Sequence, residues 1–204
     1  TQRVLNSSGS KTYDANTNAL AADITLSNLV SGESLNHSGT ATLSSANAGS
    51  YTISNLTGIS LADNAGLASN YTLTGGTHNF TVNQLPLEAT IARQYDGTKT
   101  AAGSDFSSFD ALQGGETLTL SGSGTVGDEN VASGLAVALG TLALVDGTGL
   151  ASNYSLNSAS LNITQRVLNS SGSKTYDANT DALAADITLS NLVSGETLTH
   201  SGTA

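Results

Sequence analysis

Residues Thr1–Ala41 return almost unchanged as Thr164–Ala204, and this repetition constrains the fold more than any local pattern does. The two copies differ only at Asn18/Asp181, Ser34/Thr197 and Asn36/Thr199. Self-similarity at a fixed period marks an array of supersecondary units that stack on one another. A weaker half-period lies inside the long one. Tyr13-Asp14, Tyr95-Asp96 and Tyr176-Asp177 are spaced by 82 and then 81 residues. Gly32-Glu33-Ser34-Leu35 returns as Gly115-Glu116-Thr117-Leu118 and as Gly195-Glu196-Thr197-Leu198, and Gly66–Tyr71 returns as Gly149–Tyr154. The chain therefore divides into unit A (1–82), unit B (83–163) and a half unit (164–204) that repeats the opening of A.

Within the units, apolar residues alternate with Thr, Ser and Asn, the period of a half-buried strand. Phe80 and Val82, then Leu87, Ala89 and Ile91, then Leu118 and Leu120, and Leu161 and Ile163 show it most clearly. Thr suits the outer face of such strands because its branched Cβ packs on a pleated surface without a charge. Clusters of Gly, Asn, Asp and Ser, such as Ser7–Ser10 and Asp146–Gly149, supply turn chemistry between them. Short strands at this spacing predict an all-β fold: a tandem array of small β-sandwich-like or β-grasp-like domains of about 81 residues, forming an elongated rod. The Ala-rich segments Asn18–Asp23 and Asp105–Leu112 are each expected to hold a helical turn or two. The half unit lacks the partner strands of a complete unit. With no initiator Met, the chain reads as a piece of a longer tandem array.

Composition removes several function classes. Six Lys and Arg stand against sixteen Asp and Glu, for a net charge of −10. Scattered cations of that number cannot neutralise a phosphate backbone, so no nucleic-acid partner is expected. No apolar run approaches the ~18 residues of a membrane span, and no membrane insertion is expected. Charged residues make up 11% of the chain, under half the ~25% of ordinary globular proteins. Without Cys there is no disulfide framework, thiolate metal site or Cys nucleophile.

Candidate chemistry is sparse. His37 recurs as His200, but its counterpart in unit B is Leu120, so the position reads as a packing site on a strand. Asp128-Glu129 and Asp14-Ala15-Asn16 carry oxygen ligands without the spacing of a known calcium loop. No metal, no cofactor and no catalytic residue is expected. The candidate binding residues are Tyr13, Asp14, Tyr95, Asp96, Asn70, Tyr71, Asn153 and Tyr154. The structural reading has each Tyr burying its ring with its hydroxyl bonded at the rim, and each Asp accepting N–H groups of the following turn. The functional alternative is a sugar platform of Tyr with Asp and Asn acceptors. Burial of the Tyr13 and Tyr71 rings would count against it.

Tyr95-Asp96-Gly97-Thr98, the Gly-Glu turn and the Ala151–Leu156 segment together resemble the YDG-type repeat of very large bacterial surface exoproteins of the filamentous-haemagglutinin, two-partner-secretion kind. The A units depart from it at Ala15 and Ala178, where the family's motif has Gly, and Glu33, Glu116 and Glu196 stand where its pattern often has Asp. The resemblance implies a secreted, β-rich stalk or adhesive segment at the bacterial surface or in the extracellular matrix. It would serve attachment, cell aggregation or biofilm. Its partners would be itself, by lateral or end-to-end association in a fibre, or extracellular polysaccharide. A multivalent polysaccharide-binding array is the alternative function.

Overall fold

A computed structural model describes residues 1–53 and 55–203. The chain is all-β: nineteen short strands and five single 3-10 turns, with no α-helix among the described residues. The Ala-rich segments do not form α-helix. Asn18–Leu20 is a strand, followed by one 3-10 turn at Ala21–Asp23. In the other segment the 3-10 turn covers Gly103–Asp105, and Ser108–Phe109 is extended. Ala is a strong helix former, but intrinsic propensity is a weak guide against tertiary context, and strand pairing with neighbours overrides it here.

Each complete unit is organised around a parallel pair made by its first and last long strands. In A, Asn6–Thr12 runs alongside His78–Asn83, from Ser7 opposite His78 to Thr12 opposite Asn83. Ile24–Ser27 and Gly49–Thr52 flank this pair in a four-stranded sheet. Asn18–Leu20, Asn36–Thr42 and Ile59–Ala62 form a separate three-stranded antiparallel sheet. In B the central pair lengthens to Leu85–Gln94 with Tyr154–Thr164, inside a six-stranded sheet. Leu118–Ser121 and Ala143–Asp146 form a two-stranded antiparallel sheet beside it.

The alternation seen in the sequence is the alternation of burial. Leu87, Ala89 and Ile91 point inward from Leu85–Gln94 while their neighbours face solvent. On the partner strand the inward phase shifts from Tyr154 to Ala159, Leu161 and Ile163. A register shift between Leu87 and Glu88 absorbs the change, a bulge with one extra residue on the longer side.

The paired strands also show how two unlike sequences fill the same core. Gly9 lies opposite Phe80, and a Cβ at Gly9 would sit 2.4 Å from the Asp23 carbonyl oxygen and 2.7 Å from the Phe80 ring. In B the same cross-strand position holds Ile91 opposite Leu161. One ring against no side chain has become two aliphatic chains of middle size, a volume-conserving exchange. Ser7 opposite His78 has likewise become Ala89 opposite Ala159. The polar pair in A is buried but satisfied: His78 Nδ1 meets Ser7 Oγ at 2.9 Å and its Nε2 meets the Leu73 carbonyl at 2.8 Å. His37 meets the Ile24 carbonyl at 2.9 Å from its strand. Packing and backbone bonding account for both histidines.

The apolar cores do not respect the unit boundary. One cluster joins Tyr13, Ala19, Ile24, Leu43, Phe80 and other residues of A to Leu87, Leu118 and Tyr154 of B. A second belongs to B alone. The counterparts of the crossing residues in A, namely Leu5, Leu35 and Tyr71, form a small cluster of their own. Among its described residues the half unit forms a two-stranded sheet, Asn169–Gly172 with Ile187–Ser190, and none of those past Gln165 is buried.

Candidate functional site

The candidate residues converge on the places where one unit meets the next. Asp14 opens a tight turn in which its Oδ1 accepts the Asn16 N–H at 3.2 Å and the Lys11 ammonium at 2.8 Å. The Lys11 ammonium also reaches the Asn16 carbonyl at 2.8 Å. Burial raises the Asp14 pKa, but Lys11 and the Asn16 N–H outweigh it and hold the carboxyl below its ordinary value. In B, Arg93 replaces Lys11: it pairs with Asp96 and donates to the Thr98 carbonyl at 2.6 Å, while Asp96 accepts the Thr98 N–H at 3.0 Å. The residue after each Asp is left-handed, with φ of 60° at Ala15, 71° at Gly97 and 59° at Ala178. The turn needs that conformation, which Gly adopts freely and Ala at a cost of about 1 kcal/mol.

These turns aim the preceding Tyr at the next unit. Tyr13 is 4% exposed, and its hydroxyl donates across the A–B junction to Glu116 Oε1 at 2.7 Å. Tyr154 of B donates to the other oxygen of the same carboxylate at 2.5 Å, and its own oxygen accepts the Gln113 N–H at 3.1 Å. The two rings cross edge to face with centroids 5.3 Å apart. Burial first, then the bond to Glu116, pushes both phenols up to about 12. Asn153 completes the joint. Its Oδ1 accepts the Ala48 N–H at 2.8 Å and its Nδ2 donates to Asn47 Oδ1 at 3.1 Å, both groups belonging to A.

The B–half-unit junction repeats the device. Tyr95 donates to Glu196, which raises its pKa. Arg166 is held by Asn191, with Nε on the carbonyl at 2.5 Å and Nη2 on Oδ1 at 2.9 Å, and its Nη1 donates back to the Tyr95 carbonyl at 3.3 Å. A groove of about 750 Å³ lies at this junction, lined by Tyr95, Val131, Arg166, Val193, Glu196 and Leu198.

Of the eight candidates, Tyr13, Asn153 and Tyr154 meet in one cluster, and Tyr95 occupies the equivalent place one junction on. Asp14 and Asp96 form the turns that present the tyrosines. Tyr71 is buried at 3% exposure and bonds Glu33 within A, while Asn70 is exposed. The acceptors Glu33, Glu116 and Glu196 are not among the eight candidates that the sequence singles out. Their signal was present, since the Gly-Glu turn recurs in step with both tyrosines, but nothing local says that one carboxylate serves two rings from different units. Asn47, Ala48 and Arg166 carried no signal at all.

The oxygen ligands considered for calcium are engaged by protein groups. Asp128 Oδ1 accepts the Asn130 N–H at 3.0 Å, and Glu129 pairs with Lys99 at 3.4 Å.

A recurring all-β unit that hands a tyrosine to the carboxylate of its successor defines a tandem-repeat protein with side chains shared between units. The sequence pattern of the YDG domain matches residues 1–79 and again residues 81–163, so the chain belongs to the YDG domain family. Comparisons with curated proteins and with solved structures found no match.

Proposed function

We propose that the chain is a stalk or adhesive repeat segment of a secreted bacterial adhesin or extracellular-matrix fibre of the filamentous-haemagglutinin, two-partner-secretion kind. Its small β-sandwich-like units form an elongated rod at the cell surface, serving attachment, cell aggregation or biofilm. The observation that supports this reading is the core shared across the A–B junction, with Tyr13 and Tyr154 on one Glu116 carboxylate. A joint that buries aromatic rings and a shared acceptor resists bending where a flexible linker would not. Many weak contacts repeated along such a rod give avidity that one unit lacks. The reading assigns no catalytic role and no cofactor.

The alternative, a multivalent polysaccharide-binding array, needs exposed rings. Burial of Tyr13 and Tyr71 counts against it. Two measurements test the choice. X-ray scattering of the chain, alone and with further A–B pairs appended, is expected to give a length that grows linearly with pairs at constant cross-section. A polysaccharide panel is expected to give no saturable binding at either length. Saturable binding that rises steeply with unit number would replace the stalk with a glycan-binding array, and a scattering profile of freely jointed beads would overturn the rod.

A further inference from the structure

Unit A carries, apart from the residues of its junction with B, the charged and apolar groups with which the half unit receives Tyr95. Arg3, Val30 and Glu33 are the counterparts of Arg166, Val193 and Glu196, and all three are identical in the two copies. The poses match as well. Arg3 is held by Asn28, with Nε on the carbonyl at 2.5 Å and Nη2 on Oδ1 at 2.9 Å, the same distances that Arg166 keeps to Asn191. In the half unit the remaining guanidinium nitrogen reaches the Tyr95 carbonyl, and Glu196 Oε1 takes the Tyr95 hydroxyl. Among the described residues, Arg3 Nη1 and Glu33 Oε1 bond no protein group, since Tyr71 uses the other carboxylate oxygen.

The apolar surroundings tell the same story independently. Leu87, Leu118 and Tyr154 of B are part of the core of the unit before them, whereas Leu5, Leu35 and Tyr71 of A stand as a separate cluster. Val193 lies against the Gly97 turn, while Val30 is 45% exposed. An apolar residue beside an unused charged donor and an unused carboxylate oxygen is half of a joint.

We propose that this face of unit A is a docking surface for the Tyr95-Asp96-Gly97 edge of a B-type repeat unit. The docked edge places its tyrosine hydroxyl on Glu33 Oε1, its tyrosine carbonyl on Arg3 Nη1 and its glycine turn over Val30. The proposal concerns the pairing of units alone and holds whether or not the array serves adhesion.

The test extends the whole chain at its N-terminus with a further copy of residues 83–163 and follows hydroxyl-radical labelling of Val30. The peptide carrying Val30 is distinguished from that of Val193 by Ser34 against Thr197. Labelling of Val30 is expected to fall several-fold on extension. Tyr95→Phe in the added unit and Arg3→Leu are each expected to restore much of it. Leu20, 50% exposed on the same unit, reports folding and should label equally throughout. Equal labelling of Val30 with and without the added unit, at constant Leu20 labelling, overturns the proposal. Protection that survives both substitutions overturns it too, because a different surface is then covering Val30.

Discussion

The rings of Tyr13 and Tyr154 cross at 75° with centroids 5.3 Å apart, and the hydroxyl of each donates a hydrogen bond to a different oxygen of Glu116. One residue belongs to unit A and the other to unit B, so the carboxylate ties a boundary together from both sides.

Removing either hydroxyl should therefore cost more than a surface bond. Tyr13→Phe and Tyr154→Phe are each expected to lower stability by about 1.5–3 kcal/mol, the range for bonds to a charged group. The double variant leaves a half-buried carboxylate with neither donor, so its cost should exceed the sum by at least ~0.5 kcal/mol. Urea unfolding of the four proteins in the cycle measures this, and strict additivity would show that the two bonds act independently.

Alkali should loosen the same joint. Tyr13 and Tyr154 hold their protons up to about 12, against 10.0 for the unperturbed phenol, because burial and then Glu116 disfavour the phenolate. A folded pKa above the unfolded one gives stability that is complete below the unfolded value and is lost as pH climbs through the folded value. Stability is thus expected to decline between pH 10 and pH 12. Tyr13→Phe should flatten that slope, as read from denaturant midpoints across the window. An unchanged slope would remove Tyr13 from the linkage.

The two Asn-Tyr motifs should respond differently to one substitution. Asn153 is 1% exposed and satisfies Asn47 and the Ala48 N–H across the junction. Asn153→Ala orphans a backbone donor and should cost about 1–3 kcal/mol. Asn70 is exposed, and Asn70→Ala should stay within ~0.5 kcal/mol. Calorimetry of both variants compares them directly.

Gly97 should be replaceable only at the expense of its neighbour. A Cβ there would meet Val193 Cγ1 at 3.0 Å, and the φ of 71° adds strain of about 1 kcal/mol for any other residue. Gly97→Ala is expected to increase hydrogen exchange in the half unit, and Val193→Ala to relieve the part due to crowding. If the second change brings no relief, the backbone alone sets the requirement for glycine.

Much of this architecture was legible in advance. Period-2 alternation located the strand bearing Leu87, Ala89 and Ile91, because one buried face forces every second residue to be apolar. Even the bulge left a trace, in the step from Tyr154 and Leu156 to Ala159, Leu161 and Ile163. The parallel pairing of first and last strands left none, since a strand's side-chain pattern is the same whichever way its neighbour runs. Nor could the Ala-rich segment at Asn18–Asp23 reveal that Thr40–Thr42 would claim its backbone. The tyrosines stood out as motifs, yet their meaning lay in acceptors 101 and 103 residues away. Contacts at that range depend on how units stack, and no local window contains it.

The parallel ladder at the centre of each unit has a mechanical consequence. The parallel pair of A begins at Asn6 on its first strand and ends at Asn83 on its last, and these residues sit at opposite ends of two strands that run the same way. Tension drawing the termini apart would slide the strands lengthwise, loading their cross-strand bonds together rather than peeling them one by one. In B the ladder spans Leu85 to Gln94, so the grip there is longer still. A load carried along the chain would therefore pull each module in the direction in which it is hardest to open.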